Sequence, residues 1–107
     1  MTDLAKRCYE LLRTVPKGRI TTYSALADGL GTKAYRAIGQ IMKNNPNAPE
    51  VPCHRVVASN GYIGGYQGDA FGPSVDKKIA MLKTEGVEVE NGKIKDFKKV
   101  LFTFPKK

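Results

Sequence analysis

Apolar residues recur at helical spacing at the start of the chain, through Leu4, Cys8, Leu11, Leu12 and Val15, while Lys6, Arg7, Glu10 and Arg13 take the opposite face. That pattern predicts an amphipathic helix over residues 3–14, capped by Thr2 or Asp3 and stopped by Pro16 and Gly18. Cys8 lies on the apolar stripe, the place of a small buried hydrophobe. Thr21 or Thr22 caps a short second helix, Tyr23 to about Gly29, with Ala25 and Leu26 facing inward. Gly29-Leu30-Gly31 then turns a tight corner, and Thr32 caps a third helix from Lys33 to about Lys43. Its apolar face is Ala34, Ala37, Ile38, Ile41 and Met42, with Lys33, Arg36, Gln40 and Lys43 mostly elsewhere. The pair over about 22–44 is a helix-turn-helix candidate, a pattern that any three-helix bundle also shows.

The Pro- and Asn-rich stretch Asn44 to Pro52 ends helical structure. Residues 52–57, Pro52-Cys53-His54-Arg55-Val56-Val57, follow, then a turn at Ser59-Asn60-Gly61 and a glycine-rich stretch from Gly61 to Gly72. Ser74 or Val75 opens a helix to about Thr84, with Ile79, Ala80 and Leu82 as core contacts. Val87 to Glu90 and Lys93 to Lys95 alternate with period two around Asn91-Gly92, the strongest short hairpin signal. Val100 to Phe104 reads as a strand or extended segment within a tail hairpin over about 87–104. The expected fold is a mostly α single domain over 1–107, winged helix-turn-helix-like, with a small C-terminal β-hairpin.

A chain of 107 residues suits one domain with a real core. No run approaches the ~20 apolar residues of a membrane span, and the N-terminus has no signal pattern. The expectation is a soluble, cytoplasmic monomer. Eighteen basic against ten acidic residues give a net charge of +8, spread over both halves rather than held in a tail. A compact basic domain suits a polyanion, and solubility alone accounts for the same excess. Lys93 to Lys107 reads as a packed hairpin with solvated lysines. Two cysteines and one histidine show no zinc spacing, so neither metal nor cofactor is expected.

Cys53 beside His54 is the candidate chemistry. A thiol is nucleophilic as thiolate, and a neighbouring imidazole takes its proton directly or through water. A packed cysteine beside a satisfied histidine has the same sequence, and a cysteine protease would need a longer chain for its cleft.

The wider order of motifs is more specific. Arg36-Ala37-Ile38-Gly39, Asn44-Asn45-Pro46, the string from Pro52 to Val57, Gly61-Tyr62-Ile63-Gly64-Gly65-Tyr66 and Leu82-Lys83-Thr84-Glu85-Gly86 follow one another. From about Leu4 to Val87 this resembles the C-terminal DNA-binding and active domain of O6-alkylguanine-DNA alkyltransferases. The resemblance implies that Cys53 accepts the alkyl group irreversibly and once, that His54 activates it through a water, and that Glu85 orients the imidazole. It further implies that Asn45 braces the turn and that Tyr23 donates toward the flipped guanine. Arg36 would be the finger entering the stack, on a helix whose Lys33, Ala34, Ala37, Gly39, Gln40 and Lys43 meet the minor groove. Gly39 costs ~1 kcal/mol of helix propensity relative to Ala, and with the small alanines it allows close approach to DNA. Tyr66, Gln67 and Gly68 would line the base pocket with Val56 and Lys78, the lysine contributing there or to phosphate contacts.

The implied partner is double-stranded DNA carrying O6-alkylguanine. Three departures from the family pattern are expected to matter: the lack of the N-terminal domain many members carry, Gln67 in place of a common small Ser, and Asp69 to Ser74, longer than in some relatives. The alternative within the resemblance is an alkyltransferase-like protein that binds the lesion without transfer and recruits other factors; such proteins typically replace the cysteine. A winged-helix regulator is the third reading, and it leaves Cys53-His54 unexplained.

Overall fold

In a computed structural model of the chain, which describes residues 2–45, 50–64 and 72–104, α1 spans Asp3–Leu12 and opens where Thr2 Oγ1 accepts from the Ala5 amide at 3.1 Å. Its buried face is Ala5, Cys8, Tyr9 and Leu12. Tyr9 extends the expected stripe because its hydroxyl, donating to the Ile41 carbonyl at 2.6 Å, satisfies the one polar atom the ring carries inward. Thr22 caps α2 (Tyr23–Leu30) through the Ala25 amide, and Gly31 ends it at φ +70°, a left-handed conformation that suits glycine.

Helix α3 is Tyr35–Lys43, two residues shorter at its start than the spacing suggested. Thr32 Oγ1 accepts from the Ala34 amide and holds a turn there instead of capping a helix. Ile38 and Met42 are buried and Ile41 packs beside them, whereas Ala37 is exposed and Ala34 only half-buried. A methyl side chain gains too little from burial to fix a helix's rotation, so the two alanines were poor guides.

The two-residue strands β1 (Thr21–Thr22) and β2 (Val56–Val57) pair in parallel, Thr21 with Val56 and Thr22 with Val57. A single turn of 3-10 helix, Cys53–Arg55, precedes β2. Helix α4 is Pro73–Thr84, buried through Val75, Lys78 and Leu82. Ile79 is only half-buried and Ala80 is exposed, so two of the three expected core contacts turn outward. The hairpin of β3 (Val89–Glu90) and β4 (Lys93–Ile94) forms in the expected register, with Asn91 and Gly92 both at positive φ. A helical turn, α5 (Phe97–Val100), leads into the extended segment expected at the end of the chain, where Leu101 bridges in parallel to Ile20 and Phe104 is buried.

Two apolar clusters result. The first joins α1, α2 and α3 to Val51, Cys53, Val56 and Phe104; the second gathers Ile20, Val57, Leu82, Val87 and Ile94. At Gly29 a Cβ would lie 2.9 Å from both Leu11 Cδ2 and Phe104 Cβ, so the end of the tail seats directly on α2 because that position has no side chain.

Candidate active site

The thiol is presented by local backbone geometry. Within the turn the Cys53 amide donates to the Val51 carbonyl at 2.8 Å and the Arg55 amide to the Pro52 carbonyl at 2.9 Å. Asn45 Nδ2 donates to the same Val51 carbonyl at 2.8 Å, so the amide following α3 braces the turn from beneath. Cys53 is 5% exposed, at the edge of the first cluster. Parallel pairing of Thr22 with Val57 brings the start of α2, and with it Tyr23, alongside this turn. Burial raises the Tyr23 phenol above its ordinary range and Cys53 adds to the effect. Such a phenol holds its proton and remains a donor at neutral pH.

His54 is 1% exposed, and its Nε2 lies 3.0 Å from Glu85 Oε2. Glu85 caps the C-terminus of α4. Burial pushes its carboxyl up, but the hydrogen bonds from Arg55 and His54 outweigh that and hold it below the usual range. Glu85 is therefore a carboxylate at neutral pH and can only accept, which assigns the proton of neutral His54 to Nε2 and leaves Nδ1 with a lone pair. Among the described residues that buried Nδ1 has no hydrogen-bond partner. Burial lowers the imidazole pKa, the Glu85 bond pulls it back, and the net shift is downward, favouring the neutral base.

Arg55 was missed by the sequence reading. Its Nε donates to Glu85 Oε1 at 2.9 Å, its Nη2 to Oε2 at 2.7 Å, and its Nη1 to the Val15 carbonyl at 2.8 Å. The two-pronged contact fixes both carboxylate oxygens, and the Val15 bond ties the site to the turn that follows α1. Its position directly after Cys53-His54 was the only available signal.

Lys78 is placed differently from the expectation of a phosphate contact. It is 0% exposed, and Nζ donates to the Val56 and Ile63 carbonyls at 2.7 Å each. Burial lowers it to about 8, while nearby Cys53 pulls the other way. Substituting Lys78 by Met is expected to strand these two carbonyls and cost about 1–3 kcal/mol for each, seen as a lowered midpoint in urea unfolding. Val56 is itself buried and faces this network through its carbonyl.

On α3, Arg36, Ala37, Gln40 and Lys43 are exposed, as is Lys33 just before it, while Ala34 and Gly39 are half-buried. Beyond its own helix, a Cβ at Gly39 would meet no atom of the described residues within 4 Å, so no packing among them demands glycine there. Tyr66, Gln67 and Gly68 lie outside the described residues. The structure thus brings Cys53, His54, Glu85, Asn45 and Tyr23 around one turn, with Arg36 and its neighbours on a separate exposed face. No group of three or more His, Cys, Asp or Glu among the described residues could hold a metal ion.

The family model described as "6-O-methylguanine DNA methyltransferase, DNA binding domain" matches residues 3–87. A bifunctional methyltransferase/endonuclease of Picrophilus torridus is 40% identical over 101 residues, covering 94% of this chain and 32% of its own. The O6-methylguanine-DNA methyltransferase of Pyrococcus kodakaraensis superimposes with a TM-score of 0.70 at 42% identity, over 81% of this chain and 48% of that one. S. pombe Atl1, solved with damaged DNA containing O6-carboxymethylguanine, gives 0.81 at 27% identity over 96% and 97%. The chain spans about a third to a half of the length of the curated relatives it matches. On the span of the family match, the chain belongs to the 6-O-methylguanine DNA methyltransferase family.

Proposed function

We propose that this protein repairs DNA by direct reversal, transferring the alkyl group of O6-alkylguanine in double-stranded DNA to Cys53 in a single irreversible turnover. The observation that carries the reading is a cysteine in a braced turn, beside an imidazole whose Nε2 is tied to a carboxylate and whose Nδ1 can accept a proton. The Cys53 proton passes through a water to Nδ1; the thiolate attacks the alkyl carbon; the carbon–O6 bond breaks, and Tyr23 donates toward the departing guanine. The new thioether has no good leaving group, so the thiol is not regenerated. Residues 1–107 act as one domain, with the helix pair over 22–44, the reactive string at 52–57 and the hairpin in the tail. It acts as a cytoplasmic monomer; none of the described helices is long and apolar enough to cross a membrane.

The target oxygen is stacked inside the duplex, and extruding the base costs a few kcal/mol. Arg36, exposed on α3, fills the vacancy, while Lys33 and Lys43 supply phosphate contacts. Replacing Arg36 by Ala is expected to slow repair of duplex substrate by about thirtyfold, the equivalent of roughly 2 kcal/mol. Alkylation by a free O6-alkylguanine base should be unchanged. Equal loss on both substrates would instead mean a damaged fold.

Incubation with an O6-methylguanine duplex should add about 14 Da to the peptide containing Cys53, as thiolate methylation requires. Unmodified protein in excess substrate overturns transfer. The second reading, lesion binding without transfer, is favoured by the likeness to S. pombe Atl1, solved with damaged DNA containing O6-carboxymethylguanine and superimposing with a TM-score of 0.81. It predicts tight binding in that assay with no mass gain, and the cysteine at position 53 argues against it.

A further inference from the structure

The family match ends at residue 87, and the hairpin and α5 beyond it carry Lys93, Lys95, Lys98 and Lys99. Lys95 is neutralised by Glu88, Nζ to Oε2 at 3.4 Å. Lys93, Lys98 and Lys99 are exposed and have no ion-pair partner among the described residues. They converge on a groove of about 530 Å³ that Asn60, Asp96 and Phe97 also line. Asp96 offsets one of the three ammonium groups and leaves the groove net positive.

This groove adjoins the candidate site. Ser24, next to Tyr23, hydrogen-bonds Ser59 across the start of α2. Asn60 Oδ1 accepts from the Tyr62 amide at 3.1 Å, and Tyr62 bridges in antiparallel fashion to Lys93. The Tyr62 ring, 47% exposed, carries Lys93 Nζ at 5.2 Å from its centroid, which holds that ammonium at the surface. Cations at the surface, displayed without a matching set of carboxylates, suit a ligand that repeats a negative charge along its length.

We propose that this groove binds the phosphodiester backbone of the same duplex, to one side of the lesion, with Lys93, Lys98 and Lys99 on phosphates. The proposal rests on the reading of the protein as a DNA-binding alkyltransferase and adds a second contact surface outside the helix-turn-helix. Backbone contacts of this kind add affinity without reading sequence, as scanning for a rare lesion requires.

The test measures binding of the full chain to an O6-methylguanine duplex across a potassium chloride series. Wild type is compared with the triple variant Lys93→Ala, Lys98→Ala, Lys99→Ala, and with Lys95→Ala as control. Three lost phosphate contacts should flatten the log–log salt slope by about 2–3, at roughly 0.9 per phosphate. Affinity at low salt should fall at least about tenfold. Lys95→Ala should match wild type, and Cys53 alkylation by free O6-methylguanine base should be equal in all three proteins. A duplex trimmed on the side that meets the groove should bind wild type as weakly as the full duplex binds the triple variant. An unchanged slope in the triple variant overturns the groove and leaves DNA binding by the chain intact. Failure of wild type to bind damaged duplex overturns the underlying reading as well.

Discussion

Glu85→Gln is expected to slow methyl transfer by about 10²- to 10⁴-fold, the range set by loss of an orienting carboxylate in nucleophile–base–acid systems. Both Glu85 oxygens are in use: Oε1 accepts from Arg55 Nε, and Oε2 accepts from Arg55 Nη2 and His54 Nε2. A glutamine offers one oxygen and one NH2, and Arg55 can only donate. Either setting of the amide turns an N–H toward an Arg55 N–H. In the setting that keeps the oxygen on Arg55 Nε, the amide NH2 donates to His54 Nε2, which moves the imidazole proton to Nδ1 and blocks the base. Facing an N–H with an N–H in this half-buried pair also costs about 1–3 kcal/mol of stability.

Single-turnover rates against pH separate chemistry from folding. In wild type the acid limb should lie below the ordinary histidine value of 6.5, because burial lowers His54. Removing the carboxylate removes the one influence that raises it, so the limb should move lower still in Glu85→Gln. A reduced rate with an unmoved limb would sink the orienting role. The stability profile follows with its own sign. Glu85 and His54 are both lowered in the folded protein, so the unfolded chain takes up their protons first as pH falls. Glu85's contribution is complete above about 4.5 and lost as pH drops through its folded value; the His54 part begins to disappear below 6.5. For Lys78 the unfolded chain holds a proton that the folded protein has released between about 8 and 10.5, so stability gains with pH across that window.

Cys53→Ala should abolish transfer outright while leaving lesion binding within about threefold, a difference of under 1 kcal/mol. Its side chain sits at the edge of the first cluster, and alanine keeps the turn's backbone hydrogen bonds. Cys8→Ala should leave transfer intact, because Cys8 is buried and its thiol is pushed up to about 11 by that burial. Intact-mass spectra of the two variants after exposure to methylated duplex make the comparison. Methylation persisting in Cys53→Ala would reassign the acceptor.

The helices and the hairpin were legible in the sequence because their signals are local. The 3.6-residue stripe of α1, the Thr22 cap of α2 and Asn91-Gly92 each act within a few residues. The β1–β2 pairing was not legible, since two-residue strands have no periodicity and their partners lie 35 residues apart in the chain. The burial of Lys78 was not legible either, because the Val56 and Ile63 carbonyls that receive its ammonium lie 22 and 15 residues away in the chain. Cys53, His54, Glu85, Asn45 and Tyr23 were assembled from resemblance rather than spacing, and the fold brings them to one turn. Arg55 stayed invisible because its job is defined by a carboxylate 30 residues away.

The passage of the tail over Ile20 has a consequence for how the molecule opens. The Ile20 amide donates to the Val100 carbonyl, Phe102 donates back to Ile20, and Arg19 grips the carbonyls of Val100 and Leu101. This buckle joins residues 80 positions apart, so neither flank can fray alone. In hydrogen exchange the Ile20 and Phe102 amides should become labelled only when the whole domain unfolds, at the same free energy as the amides of buried α1.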